Sequence, residues 1–337
     1  MILSYSAINI KTIENARRDA ISKNLKSDYA KNVINLFVCP KDKKRLTLQE
    51  DHLICEIGHK VPILNGIPDF FTNSENITED KLKQAAFHDN EEINERFDEI
   101  VLRPYNYNKV HIKSWLFHLI QLKKILPSKL NIDFKNTSIL NCGCGGGFEA
   151  QFLAENDALV TGFDISQLRA EASSTRFALR KLIGFFYRGD AASILPFPDN
   201  SFDLVLYHDS LHHVPIEGIP LAIKEAVRVA KRGAIFMECN DSPLTMFLES
   251  MGLSTSIEAS GNYVFRLRKS LMQFLSLQTS TQLVNYSTFL MKKEHRPKYY
   301  AIPIVNWVLY YLIRFGGFFL KVFGNEACII LKKANNP

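Results

Sequence analysis

From Ser138 onward the apolar residues fall into short unbroken runs separated by amphipathic stretches, and before Ser138 they do not. The runs are Ser138–Cys142, Leu159–Asp164, Gly184–Arg188, Phe202–Tyr207 and Gly233–Glu238, and helical periods at 148–156, 166–182 and 217–231 separate most of them. Alternation of this length predicts right-handed βαβ units and a parallel sheet. Upstream, Ile13, Ala16, Ala20, Ile21, Leu25, Val33 and Leu36 recur at three- and four-residue steps, which predicts a helical region over 12–36. Residues 37–71 hold turn residues and short β-prone pieces. Residues 73–100 are polar and acidic, with Glu79, Asp80, Glu91, Glu92 and Glu95, and read as a solvated helix or linker. A helical period returns over 110–126 and stops before Pro127. Residues 241–300 show no clear period and read as a substrate lid.

The expected organisation is an N-terminal helix and small module over 1–72, a helical linker over 73–130 and an α/β domain over 131–337. A length of 337 residues fits one large and one small domain. Apolar residues at 46% and charged residues at 23% exclude a chain too polar to bury a core. The net charge of +6 permits an anionic partner without demanding one. Six cysteines, at 39, 55, 142, 144, 239 and 328, show no disulfide framework, and the N-terminus lacks a basic segment followed by a long apolar run. Both features point to a cytoplasmic protein with reduced thiols.

The strongest local signal is Ile139-Leu-Asn-Cys-Gly143-Cys-Gly145-Gly146-Gly147-Phe148-Glu149, a strand running through a glycine cluster into a helix. Glycine lets the backbone turn sharply and approach a ligand, and a helix N-terminus offers unpaired N–H groups. Three readings share this device: a purely structural turn, a dinucleotide loop (Gly145-x-Gly147-x-x-Ala150 fits the looser pattern) and another nucleoside-binding loop. Asp164 ends the second strand, where a carboxylate can accept ribose hydroxyls, although it also stands beside a helix start for which Ser166 is the better cap. Asp190 follows the third strand, and Leu195-Pro-Phe-Pro-Asp199 leads into the fourth. All these residues fall at the carboxyl ends of strands, where open α/β sheets bind ligands.

In these motifs, taken in order over about 137–240, the chain resembles the class I S-adenosylmethionine-dependent methyltransferases of the group called type 11. The resemblance implies a Rossmann-like seven-stranded sheet whose last strand is antiparallel, with Glu326–Lys332 as that strand. It implies S-adenosylmethionine as cofactor. Gly143, Gly145 and Gly147 would cradle its methionine part, Asp164 would hold the ribose, Asp190 and Ala191 would contact the adenine, and Phe163 and Ile165 would flank the ring. Asn141 stands where the family usually carries Asp, which keeps the hydrogen-bonding shape and removes a charge. Methyl transfer from a sulfonium is an in-line displacement, so a base is needed only when the acceptor must lose a proton. Asp209, His212 and His213 follow the fourth strand as candidates for that base, and two adjacent histidines in an extended segment cannot both face one pocket. Glu238, at the end of the fifth strand, is a weaker candidate for substrate contact.

In the N-terminal module, Cys39-x-x-Asp42 and Cys55-x-x-x-His59 are two close pairs a dozen residues apart, which is zinc-ribbon spacing with Asp42 in a cysteine's place. The segment from Gly58 to Asp69 resembles the small ribbon of tRNA-methyltransferase activators, and ribosomal-RNA guanine methyltransferases carry a ribbon before their cofactor domain. An occupied zinc site and a relic ribbon held by apolar residues both fit. Residues 303–323 are long and apolar, but Asn306, Tyr310, Arg314, Gly317 and Lys321 form a polar stripe. They read as an amphipathic helix packed on the sheet, with peripheral contact to a membrane or lipid-linked substrate as the sharper alternative.

The sequence therefore favours a methyltransferase acting on a small molecule, such as a sugar or lipid-linked metabolite. An RNA methyltransferase is the runner-up, resting on the ribbon and the basic residues from Lys41 to Arg45. A non-catalytic S-adenosylmethionine-binding module is the alternative of another class, kept open by Asn141. A nicotinamide oxidoreductase is least favoured, having no role for the Pro-Phe-Pro-Asp and His-His segments.

Overall fold

The computed structural model describes residues 10–72, 77–90, 96–103, 122–124, 126–239, 243–252, 279–286 and 326–333. The amphipathic stretch 303–323, most of the helix expected over 110–126 and much of 241–300 lie outside them.

Seven strands form one sheet: β5 (Ser138–Cys142), β6 (Leu159–Asp164), β7 (Gly184–Arg188), β8 (Phe202–His208), β9 (Ala230–Cys239), β10 (Thr279–Tyr286) and β11 (Glu326–Lys333). Their spatial order is β10-β11-β9-β8-β5-β6-β7. The strands β5 to β9 run parallel, and β11 inserts antiparallel between β9 and β10. The expected last strand and its direction are as the sequence implied. The strand β10 was not anticipated; it comes from the segment read as a lid.

Alternate residues of each strand point to opposite faces, so two cores form. In β5, Leu140 and Cys142 join one cluster and Ile139 the other. Helices α5 (Phe148–Glu155), α6 (Gln167–Arg180) and α7 (Ile219–Val229) follow β5, β6 and β8 respectively. Ser166 caps α6 by accepting from Arg169 N–H, as its position at the helix start suggested. Within α7 the Arg228 guanidinium forks onto Glu225 at 2.6 and 2.8 Å and donates to the Leu195 and Phe197 carbonyls. Glu225 in turn accepts from Leu195 N–H, which fixes the Leu195–Asp199 loop against α7.

The N-terminal region is two helices, α1 (Ile10–Lys23) and α2 (Asp28–Ile34), rather than one. Ser27 ends the continuity by capping α2 through Ala30 N–H. Four short antiparallel strands follow: β1 (Thr47–Leu48), β2 (His52–Ile54), β3 (Lys60–Leu64) and β4 (Ile67–Pro68). This module shares a core with the main sheet, since Phe37 and Phe70 pack against Tyr187, and Phe37 also stacks on Phe197. Asp69 bridges to Arg188 alongside β7, and Phe70 N–H donates to the Arg188 carbonyl at 2.9 Å. The module thus covers the edge that β7 would otherwise expose.

Two helices lie in the stretch read as a solvated linker, α3 (Glu79–Asp89) and α4 (Phe97–Leu102). Solvation is the wrong description of both. Lys81, Gln84 and Ala85 of α3 are buried, as are Phe97, Ile100 and Val101 of α4. Glu79 and Asp80 are exposed, Glu91, Glu92 and Glu95 lie outside the described residues, and the buried face of α3 is polar enough to hide its period.

Candidate active site

The turn between β5 and α5 is the centre of the site. Gly143, Gly145 and Gly147 have φ of 63, 51 and 76°, in the left-handed region that glycine adopts without steric cost. Two residues of α6 hold the back of this loop: Ser173 Oγ donates to the Gly145 carbonyl at 2.9 Å, and Arg176 Nε donates to the Gly146 carbonyl at 2.7 Å. Arg176 is fully buried, and its remaining nitrogens reach the Gln151 side chain and the Ile100 carbonyl. Gly145 N–H points the other way and donates to Asp164 Oδ2 at 2.9 Å.

A cavity of about 350 Å³ opens over this loop, at the carboxyl ends of β5 to β8. Of the residues named from the sequence, Gly143, Gly145, Asp164, Ile165, Asp190, Ala191, Asp209 and His213 line it. Phe163 does so as well. Asn141, Gly147 and His212 do not. Asn141 is buried under the loop, and its Nδ2 has no hydrogen-bond partner. Gly147 caps α5, and a Cβ there would meet Ser173 Oγ at 2.9 Å, so its smallness serves packing. His212 turns away to Glu238, with Nδ1 2.7 Å from Oε2. Glu238 is itself fully buried and accepts from the Ser210 and Leu211 N–H groups. Its place is beneath the turn that carries the histidines, and it does not line the cavity. One histidine of the pair lines the cavity, but not for the reason expected: Leu211–His213 is a 3-10 turn rather than an extended segment, and it is the Glu238 hydrogen bond that holds His212 off the cavity.

Sequence reasoning missed the cavity's other wall. Lys81, Gln84 and His88 of α3 line it, with Arg103 just after α4. Lys81 Nζ lies 2.5 Å from Asp190 Oδ2, and the His88 ring meets His213 edge-on at 5.6 Å between centroids. The far end of α3 is fixed by Asp89, which accepts from Ser166 Oγ at 2.6 Å and from Leu168 N–H at 3.0 Å. Also missed were Glu149 and His208, an interacting pair 59 residues apart in the chain, with Nδ1 2.9 Å from Oε1. Nothing local in the sequence marks such contacts.

The cavity fits the cofactor implied by the resemblance. A Cβ at Gly145 would meet nothing within 4 Å, so the backbone there faces open space. Gln84 is 5% exposed, lines the cavity and among the described residues has no partner for its Nε2, which leaves an amide donor for a bound molecule. Asp164 and Asp190 stand on the same rim. Asp190 also accepts from Ala192 N–H and Ser193 Oγ, which hold it in place.

In the N-terminal module the four residues of the zinc-ribbon spacing converge. The donor atoms of Cys39, Asp42, Cys55 and His59 all lie within 4.8 Å of one another. Cys55 Sγ donates to Asp42 Oδ2 at 3.1 Å, and His59 Nδ1 lies 3.0 Å from the same oxygen. Partial burial works against the charge on Asp42. Hydrogen bonds from Cys55, Lys44 N–H, Cys39 and His59 outweigh it and hold the carboxyl down at about 2. Among the described residues five cysteines are free thiols and no helix is long and apolar enough to cross a membrane.

Residues 140–237 match the family described as a methyltransferase domain. The chain is 38% identical over 99 residues to 27-O-demethylrifamycin SV methyltransferase of Amycolatopsis mediterranei, covering 28% of this chain and 35% of that protein. It is 30% identical over 98 residues to the ubiquinone biosynthesis O-methyltransferase of Coxiella burnetii, covering 29% and 42%. It is 36% identical over 131 residues to the phthiotriol/phenolphthiotriol dimycocerosates methyltransferase of Mycobacterium tuberculosis, covering 38% and 43%. The chain thus spans less than half the length of these curated relatives. Among solved structures, magnesium protoporphyrin IX methyltransferase from Synechocystis with bound SAH superposes with a TM-score of 0.50 at 15% identity, over 76% of this chain and all of that one. Over residues 140–237 the chain is thus similar to a methyltransferase domain, and its fold is shared with the Synechocystis methyltransferase.

Proposed function

We propose that this protein transfers a methyl group from S-adenosylmethionine to a hydroxyl of a small-molecule acceptor. The observation that carries the reading is the single cavity wall on which Gly145, Asp164 and Asp190 meet, with open space in front of the glycine backbone. Gly143 and Gly145 would cradle the methionine part of the cofactor, Asp164 would accept from the ribose hydroxyls, and Asp190 and Ala191 would meet the adenine. Bound there, S-adenosylmethionine would supply an electrophilic methyl on a sulfonium, leaving the protein to align the acceptor and remove its proton. Asp209 and His213 stand at the cavity for that work, and His212 would hold the turn that presents them. The three relatives are O-methyltransferases or methyltransferases of non-polymeric compounds by name, which supports a small acceptor over RNA.

Calorimetric titration with S-adenosylmethionine, its demethylated product and NAD, repeated on Asp164→Ala, tests the reading. Binding of the first two that Asp164→Ala abolishes is expected. A preference for NAD, or no binding by the wild-type protein, would overturn it.

The donor set of the N-terminal module also fits a structural zinc ion held by Cys39, Asp42, Cys55 and His59. Two thiols, an imidazole and a carboxylate are all accepted ligands, and donor atoms all within 4.8 Å of one another are close enough to share one ion. The module packs on β7 away from the glycine loop, so the ion's role would be to hold the module's fold rather than to take part in transfer.

A further inference from the structure

Beneath the two histidines named from the sequence lies a third. His208 is the last residue of β8, its side chain is 1% exposed, and it reaches the cavity floor between two carboxylates. Glu149, in the first turn of α5, places Oε1 2.9 Å from Nδ1. An ionised carboxylate can only accept, so this contact puts the hydrogen on Nδ1 and leaves Nε2 as the lone pair of the neutral ring. Nε2 faces Asp209, whose Oδ2 stands 3.7 Å away and whose side chain opens to the cavity. Asp209 is held there in the left-handed region, with φ of 46° and its N–H donating to the Met237 carbonyl. A non-glycine residue keeps such a backbone only when its surroundings fix it, and here the result is a carboxylate between the buried imidazole and the cavity.

We propose that His208, oriented by Glu149, is the proton acceptor for the methyl-transfer reaction, receiving the proton of the acceptor hydroxyl through the Asp209 carboxylate. The inference rests on the methyltransferase reading above. As the acceptor oxygen bonds to the methyl carbon, the sulfonium carbon–sulfur bond breaks and its electron pair stays on sulfur. The hydroxyl proton passes to Asp209 and on to His208 Nε2, giving an imidazolium between Glu149 and a regenerated Asp209 carboxylate. That proton leaves to solvent through the cavity when the product departs. Glu149 is a positioning residue, Asp209 the group that touches the acceptor.

Electrostatics supports the same assignment. Burial disfavours the charged ring, but Asp209, the Glu149 hydrogen bond and charge, and Glu238 outweigh it and raise the His208 pKa above the ordinary histidine value. A stronger base than an ordinary histidine is what hydroxyl deprotonation needs. His213 also lines the cavity, where its ring meets those of His88 and His212.

The test is imidazole nitrogen NMR of the full chain with sinefungin bound, on wild type, Glu149→Gln and Asp209→Asn, paired with pH profiles of methyl transfer to 3,4-dihydroxybenzoate. Expected are an Nδ1–H tautomer for neutral His208 and a midpoint that falls in both variants. The acidic limb of kcat should shift to lower pH in Glu149→Gln by the same amount, and His208→Asn should lose about 100-fold or more in kcat with the KM for S-adenosylmethionine little changed. A merely structural His208 would not move the limb. An Nε2–H tautomer, or a midpoint indifferent to both carboxylates, overturns the proposal whether or not the catechol is turned over. Failure of the wild-type protein to bind S-adenosylmethionine by calorimetry would instead remove the reading on which it rests, and the two failures are read by different instruments.

Discussion

Lys81 and Asp190 form a buried ion pair across 109 residues of chain, with Nζ 2.5 Å from Oδ2 and side chains only 7% and 5% exposed. The pair joins α3 to the end of β7 on the rim where the adenine of the cofactor would lie. Removing one partner of a buried pair strands the other charge, which costs about 3–5 kcal/mol, whereas replacing both can be close to neutral. Lys81→Met should therefore lower the unfolding free energy by that order, and Asp190→Asn in the same chain should restore much of it. Denaturant titrations of the two single variants and the double variant measure this. A double variant as unstable as Lys81→Met would show that the pair is not the tie holding α3.

Two glycines of the loop should respond differently to the same change. A Cβ at Gly143 would come within 2.6 Å of Ser210 Cβ, and φ is 63°, so Gly143→Ala combines left-handed strain with overpacking. A loss of about 2–4 kcal/mol in stability is expected. At Gly145 the φ of 51° carries the strain alone, because nothing lies within 4 Å of the added carbon. Gly145→Ala should cost about 1–2 kcal/mol in stability, yet weaken S-adenosylmethionine binding at least about tenfold, because the methyl would stand in the cradle. Melts and calorimetry on both variants separate the effects. Equal affinities for wild type and Gly145→Ala would remove Gly145 from the binding surface.

Much of this was legible in the chain because it is local. The strands from Ser138 to Arg188 fall where the apolar runs lie, and Gly143, Gly145 and Asp164 announce themselves at strand ends. The fork of Arg228 from Glu225 onto the Leu195–Asp199 loop joins residues about thirty positions apart, which no local pattern marks. What was not legible depends on distance in sequence or on polarity within a buried face. The inner side of α3 carries Lys81, Gln84 and His88, so no apolar stripe marks it, and its burial follows from partners on β7 and α6. His208 reads as one more strand residue until Glu149, a helix away, is placed beside it.

The N-terminal module gives a prediction about metal. If zinc closes the Cys39, Asp42, Cys55 and His59 cluster, purified protein should contain about one zinc per chain by elemental analysis, and Cys55→Ala should lose it. Chelation should lower the melting temperature of the wild type and leave that of Cys55→Ala unchanged, since stabilisation by an ion requires its site. A wild-type protein free of zinc after purification without chelators, and indifferent to added zinc in melts, would leave the module held by its apolar packing and the Asp42 hydrogen bonds alone.

His208 makes stability depend on pH in a direction that can be stated in advance. Its folded-state pKa is raised: burial opposes the charge, but Asp209, Glu149 and Glu238 outweigh it. The folded protein therefore binds the imidazole proton more tightly than the unfolded chain, whose histidine titrates near ~6.5. The resulting stabilisation is fully present below that value and is lost as pH rises through the folded-state pKa. His208→Gln, which leaves Glu149 and Asp209 facing an uncharged amide, should be about 3–5 kcal/mol less stable than wild type near pH 6. The gap should narrow as pH rises towards 9, because the wild type gives up its proton and the variant has none to lose. Urea titrations of both proteins at intervals between pH 5.5 and 9 isolate the imidazole as their difference. A gap that stays constant would mean that the folded-state pKa is not raised, and one that widens with pH that it is lowered; either would show that the two carboxylates do not act on His208 as a charge.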